Sequence, residues 1–341
     1  KIETIISKYR RNISISVLKD NGDFIVDINS KLPRIPASNQ KLLSSAFSLN
    51  QLGPYFTLDT SLKLLSDGSF FIDASGDPDL DVSQLSSLIL ELKKRSDLKS
   101  IKKPIIIKEI SSKSLWPSGW SLSDRMKEYG APITKYSITS NSSLNALKDP
   151  ISNFIVELEN IIEFYNISDK YYVKRVPEYY PVNSVSIVST ISSSPLYVLL
   201  NLINSESHNF TSEIIFRHSI NNWSNEFPNK IYTKWLKKQN FNSTNFVFDD
   251  ASGLSRNNRV TTYGLSQFLR RMKYHRFSEY YFSSFSLLGV RGSLAKINAP
   301  LNIQGRILAK SGTLNNVKSI SGVIYDKNIF FSIIVNNMDN S

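Results

Sequence analysis

Cysteine is absent from all 341 residues. Disulfide scaffolds, thiolate zinc sites and cysteine nucleophiles are therefore excluded, and the chain is compatible with an oxidising compartment. Histidine is scarce: His208, His218 and His275 are the only three. They show no H-E-x-x-H spacing, which argues against a zinc hydrolase. No G-x-S-x-G elbow occurs, which argues against an esterase built on a Ser-His-Asp triad. No run of about 18 apolar residues occurs, so no membrane span is expected. The opening KIETIISKYR lacks the basic, apolar and small-residue zones of a secretory leader. Either the protein is intracellular or a leader has been removed. No internal repeat or low-complexity linker stands out. Acidic residues are outnumbered, 29 Asp and Glu against 41 Lys and Arg, for a net charge of +12. The basic residues are scattered and form no nucleic-acid motif. Nucleic-acid binding is not expected; an anionic wall polymer or a membrane surface is a candidate partner, and a generally basic, soluble surface is the plain reading.

What is present reads as globular. The hydrophobic fraction is 41% and the charged fraction 21%. The length suggests two domains, or one large domain with an insertion. Residues 12–29, NISISVLKD-NGD-FIVDIN, alternate apolar and polar residues around a turn and predict a hairpin. PASNQKLLSSAFSLNQLG predicts a helix, with Leu42, Leu43, Ala46 and Phe47 at helical spacing and Gly53-Pro54 stopping the run. From about Thr57 the texture changes. A strand–turn–strand stretch runs into ASGDPDL, a helix is expected over 81–96, and PIIIKEI reads as a short buried strand. An aromatic loop, WPSGWSLSDRMKEYGAP, and more strand-like pieces follow up to about Ile187. Beyond them, 194–219 is helical on both sides of a polar break at Ser205–Asn209. Residues 305–337 read as three strands, the last two joined at Asp326-Lys327-Asn328. The two ends, 1–58 and 188–341, are expected to form one α/β body, with 59–187 inserted.

Three short patterns could carry chemistry. Ser38 and Lys41, in SNQK, share a helix face near its amino end. There a hydroxyl meets unpaired N–H groups and the positive end of the helix dipole. A lysine in a dry site near other cations loses basicity and can serve as a base, giving a nucleophile–base pair without histidine. The plain alternative is a capping serine and an exposed lysine. SHN, with Ser207 and Asn209, offers a hydroxyl and an amide at the break between two helices. KSGT, Lys310 to Thr313, places a lysine, a hydroxyl and a close-approach glycine on a strand. Each of these alone also fits an ordinary loop or turn.

The order S-x-x-K, S-x-N, K-[ST]-G is the signature of active-site serine penicillin-recognising enzymes. Further stretches narrow the resemblance. ASGDPDL resembles G-G-G-D-P-x-L, and WPSGWSLSD…YGAP resembles P-x-G-W-x-W-x-D…Y-G-A-P. DDASGLSRNNRVT resembles D-G-S-G-L-S-R-x-N, and LLGVRGSL resembles G-x-D-G-T-L. By these the chain resembles, over nearly its whole length, the D-alanyl-D-alanine carboxypeptidase/endopeptidase family, the class C low-molecular-mass penicillin-binding proteins.

The resemblance implies a fold and a set of roles. The fold is α/β: a serine β-lactamase/penicillin-binding-protein-like body, an antiparallel sheet flanked by helices, with an inserted, mainly β domain. Relatives often nest a further domain in the insertion, which here is absent or vestigial. Ser38 would be the acyl-forming nucleophile and Lys41 its base. Ser207 and Asn209 would relay protons and bind the substrate amide. Lys310 would supply positive potential and Ser311 would bind the substrate carboxylate. Gly312 and Thr313 would complete the third motif, with the N–H groups of Ser38 and Thr313 as the oxyanion hole. Glu109 lies where relatives carry an acidic group for a diaminopimelate amine; a solvated strand-end glutamate is the other reading. Trp116, Trp120 and Tyr129 either line a groove or pack on their own domain. Departures are His208 inside the second motif, Ser311 for threonine, Asp250-Ala251-Ser252 for D-G-S, and Arg291 for an acid.

The expected activity is a serine DD-peptidase cleaving D-Ala-D-Xaa bonds of peptidoglycan stem peptides. No cofactor or metal is expected. β-Lactams would be covalent inhibitors, and the site of action would be periplasmic or otherwise extracytoplasmic. A β-lactamase-like hydrolase on the same fold and an inactive peptidoglycan-binding protein are the alternatives. The motifs do not separate carboxypeptidase from endopeptidase action.

Overall fold

Apolar–polar alternation carries the chain into two antiparallel strands, β1 (Ile13–Leu18) and β2 (Phe24–Ile28). The structure, a computed structural model, describes residues 6–7, 10–94, 103–109, 115–167, 171–223 and 229–337. Residues 1–5 and 8–9 of the opening KIETIISKYR and the last residues of the helix expected over 81–96 lie outside these. A single tight helical turn, Ala37–Asn39, leads into α1 (Gln40–Leu52), and Gly53 ends it with φ at 79°. Every residue from Gln40 to Leu49 is buried, polar ones included. A helix packed on all sides is a core element, so Lys41 is not a surface lysine.

The chain divides into two compact units, Lys1–Tyr55 with Pro117–Ser121 and Leu196–Ser341, and Phe56–Trp116 with Leu122–Pro195. The sequence boundaries lay at 58/59 and 187/188, and the return of 117–121 to the first unit was not foreseen.

The second unit holds β3 (Asp59–Leu65), β4 (Phe70–Asp73), α2 (Val82–Lys94), β5 (Lys103–Lys108), α3 (Pro150–Phe164), β6 (Tyr171–Val176) and β7 (Ser184–Ser192). Its sheet runs β6-β5-β4-β3-β7, parallel from β4 to β6 and antiparallel elsewhere. Leu85, Leu88 and Leu92 of α2 and Phe154 and Leu158 of α3 bury Phe70, Ile72, Ile105 and Ile107. The alternate residues Phe71 and Ile106 join a separate cluster, as the two-residue strand period requires. Helix α3 stands where the sequence suggested strands. Asp149 caps it by accepting from the Ser152 N–H at 3.0 Å, and Pro150 takes its first turn.

The first unit resumes with α4 (Leu196–Asn204), α5 (Asn209–Ile220), α6 (Asn229–Lys238), β8 (Phe246–Val247), β9 (Arg259–Val260), α7 (Thr262–Met272), α8 (Ser278–Ser283), β10 (Ser286–Leu287), β11 (Ile307–Leu314), β12 (Val317–Ile324) and β13 (Ile329–Asn336). Both chain ends join one antiparallel sheet, β10-β11-β12-β13-β1-β2. Helices α4, α5 and α8 pack on α1, and α7 packs on the sheet. Among the described residues, Leu287 of β10 bridges Arg291, and β10 pairs with β11 at Leu308 and Ala309 alone. Beyond them the Ala37–Asn39 turn approaches β11, which brings two ends of the chain to one place.

Candidate active site

The turn before α1 is fixed before any chemistry is considered. Ala37 is fully buried with φ at 49°, the left-handed region that a residue with a Cβ occupies only when its surroundings hold it there. Asn39 donates to the Lys310 carbonyl at 3.2 Å and to Ser319 Oγ at 2.9 Å. Ser319 Oγ in turn donates to the Pro36 carbonyl at 2.6 Å. Gly312 makes the close approach possible, since a Cβ there would lie 2.9 Å from the Ser38 nitrogen. Ser38, half-buried, is thus held beside β11.

Lys41 Nζ lies 3.1 Å from Ser38 Oγ, 2.5 Å from Asn209 Oδ1 and 2.7 Å from the Ser252 carbonyl oxygen. The side chain is completely buried. Burial lowers its pKa to about 7, against the opposing pull of the Asp250 and Glu213 charges. A neutral amine has two N–H donors and one lone pair. Two of its three neighbours are carbonyl oxygens that can only accept. The lone pair is left facing the Ser38 hydroxyl, which can donate.

Lys310 is also fully buried, and burial followed by the charge of Lys41 lowers its pKa well below the usual lysine range, with Glu206 opposing. Its Nζ donates to the Ser311 carbonyl at 2.9 Å. The Ser311 hydroxyl lies 2.7 Å from Ser293 Oγ, and Ser293 lies 3.1 Å from Ser286 Oγ. Thr313 is exposed and its hydroxyl accepts from Lys318 at 3.2 Å.

Ser207 sits in the break between α4 and α5 with φ at 67°. Its hydroxyl has no hydrogen bond to any described residue. Asn209 opens α5 and meets Lys41 directly. Between them, His208 holds Thr211 Oγ1 through Nδ1 at 2.7 Å. Burial, then the charge of Lys41, lowers the His208 pKa to about 4. Glu109 belongs to the second unit, where it is exposed and paired with Arg175 at 2.9 Å. The guanidinium of Arg291 donates to the carbonyls of Ser283 and Phe285. Trp120 is buried with the first unit and donates to Asp250 at 2.8 Å; Trp116 packs within the second, where it donates to the Gly130 carbonyl.

Sequence reasoning placed Asp250 and Ser252 in a family-like stretch without assigning them a role, and it passed over Glu213. Asp250 accepts from the N–H groups of Gly253 and Ser255, both at 2.7 Å, and from Asn258 Nδ2 at 2.7 Å. That network shapes the loop presenting the Ser252 carbonyl. The available signal was E-I-I-F-R on α5, a charged pair four residues apart amid apolar residues. Among the described residues no group of His, Asp or Glu could hold a metal ion, and no helix is long and apolar enough to cross a membrane.

A buried lysine against a serine, with an amide and a second lysine beside them, defines a serine acyl-transfer enzyme of the S-x-x-K type. The sequence model of the D-Ala-D-Ala carboxypeptidase 3 (S13) family matches residues 6–170 and 167–341. The chain belongs to that family and is a serine-type D-Ala-D-Ala peptidase. Among solved structures it is similar to penicillin binding protein 4 of Haemophilus influenzae, with a TM-score of 0.86 and 18% identity, covering 100% of this chain and 94% of that one. It is also similar to a predatory peptidoglycan endopeptidase of Bdellovibrio bacteriovorus, with a TM-score of 0.59 and 16% identity, over 95% of this chain and 85% of that one. A penicillin G-acylated form of that endopeptidase, in complex with an immunity protein, matches with a TM-score of 0.57 and 17% identity, over 96% and 86%. No curated protein sequence matches the chain.

Proposed function

We propose that Ser38 attacks the carbonyl of a D-Ala-D-Xaa peptide bond in peptidoglycan stem peptides, with Lys41 as its base. The observation that carries this reading is the triple contact of the buried Lys41 amine. Its lone pair takes the Ser38 proton as the Oγ–carbon bond forms. The oxyanion is received by the N–H groups of Ser38 and Thr313. The proton passes to the departing amine, with Ser207 and Asn209 close to its path, and the amine leaves as D-alanine or as the side-chain amine of a cross-linked stem. Water then hydrolyses the acyl-serine. The edge of β11 beyond Ala309 offers backbone groups to an extended peptide. Ser311 and Lys310 receive the terminal carboxylate. β-Lactams acylate Ser38 in place of substrate. Such substrates lie outside the cytoplasmic membrane, which places the enzyme in the periplasm or an equivalent compartment.

The test is labelling with a fluorescent penicillin on a denaturing gel, beside release of D-alanine from a stem pentapeptide. A persistent band and D-alanine release, both lost in Ser38→Ala, are expected. A rapidly decaying band without D-alanine release would favour a β-lactamase. No band and no release would leave a wall-binding protein.

A further inference from the structure

Lys41 can direct its lone pair at Ser38 only if both carbonyl acceptors stay in place, and one of them belongs to a loop. That acceptor, the Ser252 carbonyl, is not held by regular secondary structure. Its position comes from α5. Glu213 stands one helical turn after Asn209, on the same face. Asn209 reaches Lys41 directly. Glu213 reaches the loop instead, its Oε1 accepting from the N–H groups of Ala251 at 3.0 Å and Ser252 at 2.8 Å. The neighbouring Ala251 carbonyl accepts from Ser44 of α1 at 2.6 Å and from Ser212 of α5 at 3.1 Å. One helix therefore sets two of the three contacts of Lys41, one directly and one through Glu213.

We infer that Glu213 is a positioning residue for the reaction proposed above. It fixes the Ser252 carbonyl so that the Lys41 lone pair aims at Ser38. The inference rests on the reading of Ser38 and Lys41 as nucleophile and base. Glu213 is 3% exposed. Burial, then the Asp250 charge, raises its pKa to about 7, with Arg217 and the Ser252 hydrogen bonds opposing, so both protonation states exist near neutral pH. The charge reaches Lys41, where it and Asp250 oppose the effect of burial. Arg217 is buried one turn further along α5. The other charged or titratable groups around this cluster are Lys310 on β11, Glu206 beside it and His208 ahead of α5.

The test measures the saturating rate of Ser38 acylation by benzylpenicillin in the full chain, by intact mass, from pH 5 to 9. Glu213→Gln keeps an oxygen for both amides and removes the charge. Because the parent carboxyl itself titrates near 7, the Gln variant tests the hydrogen-bond support rather than a fixed charge, and its saturating rate should stay close to the parent's. Glu213→Ala removes the support as well, and its saturating rate falls about 100-fold, the scale of a small misplacement of a reacting group. A Gln variant whose saturating rate falls as far as about 100-fold, or a folded Ala variant that keeps the parent's rate, overturns the inference. A parent that never acylates overturns the underlying reading instead, and the inference falls with it.

Discussion

Gly253 stands directly against Ala37: a Cβ at residue 253 would lie 1.9 Å from the Ala37 carbonyl oxygen and 2.8 Å from Gln40 Cβ. Both residues have positive φ, 83° and 49°. The loop that shapes the base's surroundings and the turn that holds the nucleophile thus meet without an intervening side chain. The contact explains why two segments so distant in sequence act at one point.

Gly253→Ala therefore carries two penalties, a left-handed backbone with a Cβ and an overlap with backbone atoms. The fold should lose about 3 kcal/mol or more. Chemical denaturation of the purified variant checks this, and acylation of Ser38 should fall with it.

His208 should remain neutral throughout the range in which enzymes of this kind work. Burial and the Lys41 charge both disfavour its protonation, and its pKa lies at about 4 rather than near 6.5. With only three histidines in the chain, an NMR titration of the imidazole Cε1–H signals, assigned with His208→Asn, reads this directly. A midpoint above 6 would mean that the ring is more open to water, or further from Lys41, than the structure has it.

Ser311 should discriminate for a free carboxylate. A hydrogen bond to a charged group is worth about 1.5–3 kcal/mol, or roughly 10–100-fold. Ser311→Ala should lose that much in kcat/KM on a peptide ending in D-Ala-D-Ala, and much less on its carboxamide. Ser311→Thr should restore the difference, because it restores the hydroxyl.

The second unit offers a test of its folding that leaves the chemistry alone. Asp149 caps α3 through the Ser152 N–H. Asp149→Ala should cost about 1 kcal/mol in unfolding free energy. The same change should leave the Ser38 acylation rate within error.

Much of this was readable from the sequence, for reasons that differ by element. The β1–β2 hairpin and the three carboxy-terminal strands show because side-chain alternation reports strands directly. Ser38, Lys41, Asn209 and Lys310 are side-chain groups in short fixed spacings, so order alone singled them out. Helix α3 was missed although Ile151, Phe154, Leu158 and Ile161 have helical spacing, because its β-branched residues and neighbouring turns suggested strands. The burial of α1 on every side could not be read from its own residues, since it depends on α4, α5 and α8 packing around it. The Ser252 carbonyl was invisible for a deeper reason. Every residue has a carbonyl, and only the fold selects the one that touches Lys41.

The central claim is that Lys41 works as a neutral base beside Ser38, and the pH dependence of acylation tests it most directly. Benzylpenicillin adducts on Ser38 would be followed by intact mass across pH 5.5 to 9 in the parent, in Ser38→Ala and in Lys41→Ala. The account predicts a rate that rises with pH around a midpoint near the Lys41 pKa of about 7, as the amine loses its proton. It predicts a loss of about 100-fold or more in Lys41→Ala and no adduct in Ser38→Ala. A rate in the parent that is flat with pH, or that rises only toward the ordinary lysine pKa near 10.4, would contradict it.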